Sequence, residues 1–485
     1  MTISSALHNA MAGLTVTSRS ADIVSSNIAN AATEGYGVRR LETASMLTSG
    51  DGAGVRVAGV SRQADLVLIG QRRDADAALA HSNLAAGFHG QIEALIGTPD
   101  DPSSLSARRD AFEASLVSAA NRPDSQSRLT AVHDDAVRLT EKFNQISEGI
   151  QATRLTADEK INDAVDMLNT TLRQISDLNA DIRANQGGGR DISALLDHQQ
   201  RLIDQISPLI PLRERRDSSG MVTLYSADGI SVVDGVAAEF SFTPTPVIDA
   251  DMTLENGGLE RLYVDGRPVA LSGTQASLAG GELQALFAQR DEWSVTAQSR
   301  LDAVARDLVS RFDAASLDPS ISATDAGLFT DAGSRFDPAN EVGFSANIRV
   351  NAAISPDQGG AVWRLRDGLG ATSEGPPGDP TFLNGLLAAL QQDQPTQSGG
   401  FSTAVRSFYD LTTDFLSLHG LARQSAETDQ GFAASRHASL KEAELAKGVD
   451  TDQEMQRLLL IEQAFAANAK MIQAAEDMLD QLMRI

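Results

Sequence analysis

Both ends of this 485-residue chain carry the same seam. At the start, Ile3, Leu7, Ala10, Leu14, Thr17, Ala21, Val24 and Ile28 alternate steps of four and three. At the end, Leu458, Ile461, Phe465, Asn468, Ile472, Ala475, Leu479 and Leu482 alternate steps of three and four. Such spacing draws one apolar stripe along a helix, the repeat of a coiled-coil strand. Termini are usually the frayed part of a protein. Here each stripe needs either the other stripe or a neighbouring chain to cover it. The residue types leave open whether the two ends meet each other or only meet other copies. Asn468, the polar member of the second stripe, is the kind of residue that fixes register rather than adding stability.

A chain this long exceeds one core, so several domains are expected. Hydrophobic residues make up 42%, enough for packed cores. The net charge of −25 weighs against a nucleic-acid binder, which is usually basic. The acidity is concentrated in the middle. Residues 217–280 hold nine carboxylates against two arginines, whereas residues 1–40 are close to neutral. Charged middle segments suit exposed domains, and neutral ends suit burial against other chains. The absence of cysteine excludes disulfides, Cys-ligated zinc, iron–sulfur clusters and thiol catalysis. No apolar run is long enough for a transmembrane helix, and no Sec-type signal is visible.

Along the chain, residues 3–31 read as a helix that runs into the turn-forming stretch Asn30–Gly37. Residues 38–60 read as extended. Helices follow at 64–95 and 104–120. Two further stripes, Leu129 to Ile150 and Ile161 to Ile182, read as two helices, the second stopping at Gly187-Gly188-Gly189. A helix at 191–206 comes next. From about Arg213 to 281 the pattern turns to short β-type runs, including Met221–Tyr225 and Ile230–Val233. Helix resumes at 282–312. Residues 313–400 are Gly-, Pro- and Asp-rich, with a strand near 345–350 and a helix at 381–391. Helix returns at 402–447. Thr451-Asp452-Gln453-Glu454 has capping-box spacing and opens the last helix.

The chemistry of sites is sparse. There is no HExxH, P-loop, GxSxG or dinucleotide-binding glycine fingerprint. The histidines (8, 81, 89, 133, 198, 419, 437) are scattered, and the spacing of His81 and His89 is read as two different faces of a helix. Asp249, Asp251 and Glu255 faintly suggest a calcium loop, but Leu254 stands where glycine is required. The triglycine loop before Arg190-Asp191 reads as a helix connection rather than an anion site. Asp134-Asp135 reads as a solvated helix face. No catalytic residue, cofactor or metal is expected.

One stretch carries a resemblance. Ser25-Ser26-Asn27-Ile28-Ala29-Asn30-Ala31-Ala32-Thr33-Glu34-Gly35-Tyr36-Gly37-Val38-Arg39 is similar to the signature of bacterial flagellar axial proteins, which rod, hook and hook-associated proteins share. The residues matching it are Asn27, Asn30, Thr33, Gly35, Tyr36 and Arg39. Ser26 departs from it, since many members have Asn there. Gly54–Asp65, Gly280–Leu286 with Arg290-Asp291, and Gly448-Val449-Asp450 followed by Glu454, with Gln463–Lys470 and Met478-Leu479-Asp480, resemble the hook-associated junction proteins of that superfamily.

The resemblance implies a structural, non-catalytic part of the flagellum at the hook–filament junction. It implies a ring of copies touching the hook protein and the second junction protein or filament, and no nucleic acid or membrane as partner. It also implies type III export from the cytoplasm to the cell exterior, with a chaperone on the C-terminal helix. The alternatives are another axial subunit, of hook or rod, or an axial scaffold carrying a hydrolase.

The expected fold is mainly α with β-rich inserts, an elongated multi-domain rod. Its parts are a terminal coiled-coil domain (1–32 with 451–485), a discontinuous helical bundle (33–212 with 282–312 and 402–450), an outward β-rich domain (213–281) and a mixed insert (313–401), also expected to project. The residues expected at the assembly interface are Ile3, Leu7, Leu14, Ala21, Val24, Ile28, Leu458, Ile461, Phe465, Asn468, Ile472, Leu479 and Leu482.

Overall fold

The computed structural model describes residues 3–48, 51–187, 190–217, 219–271, 278–313 and 317–483. The first seam is helix α1, Ile3–Ala29. A hairpin of β1 (Val38–Thr48) and β2 (Asp51–Gln63) lies along it. Gly54 permits the close approach. A Cβ there would sit 2.9 Å from Asn9 Oδ1, and its φ of +96° favours glycine. Next come α2 (Leu66–Ile96), capped by Asp65, and α3 (Leu105–Asn121), capped by Ser104.

The two central stripes belong to one helix, α4, Gln126–Gly187, rather than to two. No glycine or proline interrupts residues 150–161, so nothing stops the helix. The stripe looked broken because Thr153, Arg154 and Asp158 stand at core positions, where they are buried. Gly188 and Gly189 of the triglycine loop lie outside the described residues. The chain continues in α5, Ser193–Ile206.

The β region starts at Leu212. Strands β3 (Leu212–Arg216), β4 (Val222–Ser226), β5 (Ser231–Asp234) and β6 (Val236–Ala237) form an antiparallel meander. Strands β7 (Phe240–Ser241), β8 (Tyr263–Val264) and β9 (Arg267–Pro268) form a second small sheet. Helix α6 (Gly281–Ala288) passes through a π turn, Gln289–Trp293, into α7 (Ser294–Phe312). Strands β10 (Phe329–Asp331) and β11 (Ile348–Val350) pair, with the short helix α8 (Phe344–Asn347) just before β11. Helices α9 (Arg364–Asp367), α10 (Thr381–Gln391), α11 (Phe408–Ala446) and α12 (Thr451–Met483) complete the chain.

Two apolar cores share α4. The first joins Leu129–Ile150 of α4 to α2, α3, α7 and α11. Residues 313–400 do not project from it as expected. Phe329, Phe344, Ile348, Leu365, Leu383 and Leu386 are buried in this core, where few apolar positions per turn suffice to dock an irregular segment. The second core joins Ile161–Ile182 to α5, the meander and α6. Between the cores lies a charged belt. Arg290 Nη1 is 2.5 Å from Asp158 and its Nε 2.8 Å from Asp291. Arg154 donates to the carbonyls of Arg290, Asp249 and Met252 at 2.9, 2.9 and 2.6 Å. Burying these charges is tolerable because Arg290 is paired with two carboxylates and Arg154 is hydrogen-bonded to carbonyl oxygens.

Candidate functional site

Helices α1 and α12 pack against each other, so the two terminal stripes meet within one chain. The pairing is antiparallel: Gly13 faces Asn468, and Asn27 bonds Glu454. Leu458, Ile461, Asn468, Ile472 and Ala475 are half-buried or buried along this seam, facing Ala10, Thr17 and Val24. Asn468 sits over glycine, where an added Cβ would come within 2.6 Å of its Oδ1. Its Nδ2 donates to Ala464 O at 3.0 Å, so its amide is partly satisfied inside its own helix. Phe465, Leu479 and Leu482 of the predicted stripe remain exposed.

A second stripe on α12 was missed. Leu460, Ala467, Met471, Ala474 and Met478 step by seven, four, three and four, a heptad offset from the first. It lies beside the α1 seam and is exposed, with Leu460 at 65% and Met471 at 51%. Leu459 (57%) and Met455 (51%) add apolar surface on the same helix. A row of exposed apolar side chains at heptad spacing marks an interaction face. Its periodicity was present in the sequence, masked by the stronger first stripe.

The signature residues build the joint at the other end of this pair. Asn27, fully buried, uses the whole capacity of its amide. Its Nδ2 donates to Arg39 O at 3.0 Å and to Glu454 Oε2 at 3.1 Å. Its Oδ1 accepts from Arg39 N at 3.1 Å and from Tyr36 Oη at 2.9 Å. One side chain therefore ties the end of α1, the start of β1 and the start of α12. The expected capping box at Thr451 is not formed. Asp450 accepts from the N–H groups of Asp452 and Gln453, which frees Glu454 to turn inward to Asn27 and Arg457. Asn30 closes α1 locally, donating to Ser26 O at 2.9 Å and accepting from Thr33 Oγ1 at 3.3 Å.

Asp197 of α5 carries the joint to the body of the molecule. It is buried, and accepts from Gly37 N (2.9 Å), Arg39 Nη2 (3.0 Å) and Arg62 Nε (2.7 Å). The Arg39 guanidinium also lies 4.9 Å from the centroid of the Tyr36 ring. Gly35 has a φ of +75° and Gly37 lies where a Cβ would meet Arg62 at 2.6 Å, so the turn needs both glycines. Asp197 gave no signal in the sequence. It stands on a short amphipathic helix among other polar residues.

Beneath the signature turn, a cleft of about 360 Å³ is bounded by α2, α5 and the end of α11. Ion pairs hold its walls. Arg72 reaches Asp204 and Glu444, each at 2.5 Å, Arg73 reaches Glu214 at 2.6 Å, and Lys441 reaches Glu34 at 3.2 Å. Among the described residues no group of three or more His, Asp or Glu could hold a metal ion, and no helix is long and apolar enough to cross a membrane. The arrangement offers contact surfaces and rigid joints rather than a reactive constellation.

Comparison with known proteins places these regions. The profile of the flagellar hook-associated protein FlgK helical domain matches residues 89–317. Those of the flagella basal body rod protein and of the rod FlgEFG protein C-terminal region match residues 7–36 and 446–485, the two terminal helices. Flagellar hook-associated protein 1 of Bacillus subtilis is 22% identical over 98% of this chain and 97% of its own length. The proteins of the same name from Escherichia coli and Salmonella typhimurium are 24% and 26% identical, over 60% and 49% of this chain. Those two matches span about half of each relative, 53% and 44%. The solved structure of the flagellar hook junction protein FlgK from Burkholderia pseudomallei is 18% identical over 54% of this chain and 47% of its own, with a TM-score of 0.44. That likeness is too loose to bear on the arrangement of the elements.

Proposed function

We propose that the chain is a member of the flagellar hook-associated protein 1 family, structural components of the flagellum, and that it forms the junction between hook and filament. Copies assemble side by side through their terminal helix pairs, residues 1–32 with 451–485. The bundle (33–212 with 282–312 and 402–450), the β-rich part (213–281) and the mixed part (313–401) are carried outside that ring. The interface is formed by the terminal stripes, Ile3 to Ile28 and Leu458 to Leu482, where they remain exposed, together with the second stripe at Leu460–Met478. Asn468 sets the register of the pair.

The observation that carries this reading is the exposed apolar heptad on α12, on a helix whose other seam is already covered by α1. An apolar stripe left in water after its own chain has folded favours a further partner of the same periodicity. The hook protein would lie on one side and the second junction protein or filament on the other. An export chaperone would cover the C-terminal helix before type III secretion. No catalysis is assigned to the chain.

Antibody labelling of isolated flagella tests the position. The expected result in electron micrographs is one band at the hook–filament boundary. Label along the rod, the hook or the whole filament would assign the chain to another axial position.

A further inference from the structure

Three histidines and an arginine meet where α2, α7 and α11 touch. His81 and His89 are eight residues apart, which turns them about 80° around α2, close enough for both to reach one aromatic ring from the different faces expected. Both lie against the Trp293 ring, at centroid distances of 6.0 and 6.1 Å. His419 of α11 is 4% exposed and packs edge-on against Phe415 at 4.7 Å. Arg300 of α7 and His89 both bear electrostatically on His419. Nδ1 of His81, Nδ1 of His89, Nε2 of His419 and Nε of Arg300 are buried without a hydrogen-bond partner in the protein.

No carboxylate compensates the cluster. Glu93, one turn beyond His89, is engaged by Arg423, one turn beyond His419, and Arg423 also pairs with Glu427. On α7, Asp302 is committed to Ser345 and Gly343, and Asp307 to Arg311. Beside Trp293, Asp291 is held by Arg290 and Glu292 points to solvent. A proton added to His89 or His419 would therefore sit in an apolar contact next to a fixed positive charge.

We propose that this cluster is an acid-sensitive latch holding α11 against α2. The start of α11 is held by the first apolar core, and beyond it the contact with α2, from Glu93–Arg423 through Asn83–Gln430 to Asp76–His437, is largely polar and half-exposed, so the latch stands where the buried part of the contact ends. Because α11 leads into α12, releasing the latch loosens the arm that carries the C-terminal helix.

Burial, reinforced by Arg300 and then His89, lowers His419 to about 4, and burial with Arg300 lowers His89 as well. Both depressed values mean that the neutral folded form is favoured above the ordinary histidine value of about 6.5. That advantage is lost as pH falls from there toward the folded value. Each histidine weakens the contact by up to about tenfold per pH unit in this window.

Hydrogen exchange of the full-length protein, corrected for the intrinsic pH dependence of exchange, tests the latch between pH 7.5 and 4.5. Protection of residues 412–423 should fall by about 100-fold or more, and His419→Leu should remove at least tenfold of that fall. A parallel fall in both proteins would assign the acid response to carboxylates and overturn the latch. Ring titration of His419 by NMR in the unsubstituted protein decides the point even where the variant does not fold. A value below about 5 supports the latch, and a value at or above about 6.5 contradicts it.

Discussion

Replacing both Leu460 and Met471 by aspartate should leave the folded monomer intact and reduce its incorporation into flagella by at least about 100-fold. Both side chains are more than half exposed, so carboxylates there cost the isolated chain little, within about 0.5 kcal/mol each. In an assembly that covers this face the balance reverses. Each apolar side chain contributes about 1.5–3 kcal/mol on full burial, and a carboxylate buried without a partner adds a larger penalty. Thermal unfolding followed by circular dichroism checks the first half of this result. Quantitative immunoblotting of isolated flagella checks the second. Normal incorporation of the double variant would remove the outer face of α12 from the interface.

The second expected result concerns the joint. Asn27→Ala should weaken the attachment of α12 by about 3 kcal/mol. Four hydrogen bonds end on that amide, and the substitution leaves Arg39 N and Arg39 O without that partner and Tyr36 Oη with only Ser26 Oγ at 3.3 Å. Glu454 would keep only Arg457. Asn27→Asp should be worse than Asn27→Ala near neutral pH, although it is nearly isosteric. It loses both donated bonds and places a carboxylate against Glu454 in a buried site, so one of the two must take up a proton. The gap between the two variants should therefore narrow as pH falls through the carboxylate range. Protease cleavage rates near residues 448–455, measured at pH 7.5 and pH 5, read this directly. Equal rates for the two variants at both pH values would show that Asn27 and Glu454 do not face each other.

How far the sequence alone reaches differs by element. The terminal helices were readable because an uninterrupted four-three alternation over eight positions has few other uses. The strands at 222–226 and 231–234 were readable because Asp-Gly steps bracket short β-branched runs. The single helix α4 was not, because Arg154 and Asp158 occupy core positions, Asp158 paired with Arg290 and Arg154 bonded to carbonyls, and polar residues at such positions look like a break. Residues 313–400 looked peripheral because their composition is that of loops. Their role in the first core rests on a few separated apolar residues with no common period. Of the joint, Asn27 and Tyr36 were marked by the signature. Glu454 was marked as a capping residue and not as a partner of Asn27, and Asp197 was not marked at all, because each lies far from Asn27 in sequence and meets the joint only through the fold.

The central claim is that the second stripe of α12 becomes covered by other copies. The chain has no cysteine, so Leu460→Cys and Met471→Cys each provide a single labelling site. The measurement is the rate of maleimide labelling in the purified monomer and in assembled flagella. The account predicts rapid labelling in the monomer and at least about tenfold slower labelling after assembly. Equal rates in the two states would contradict it.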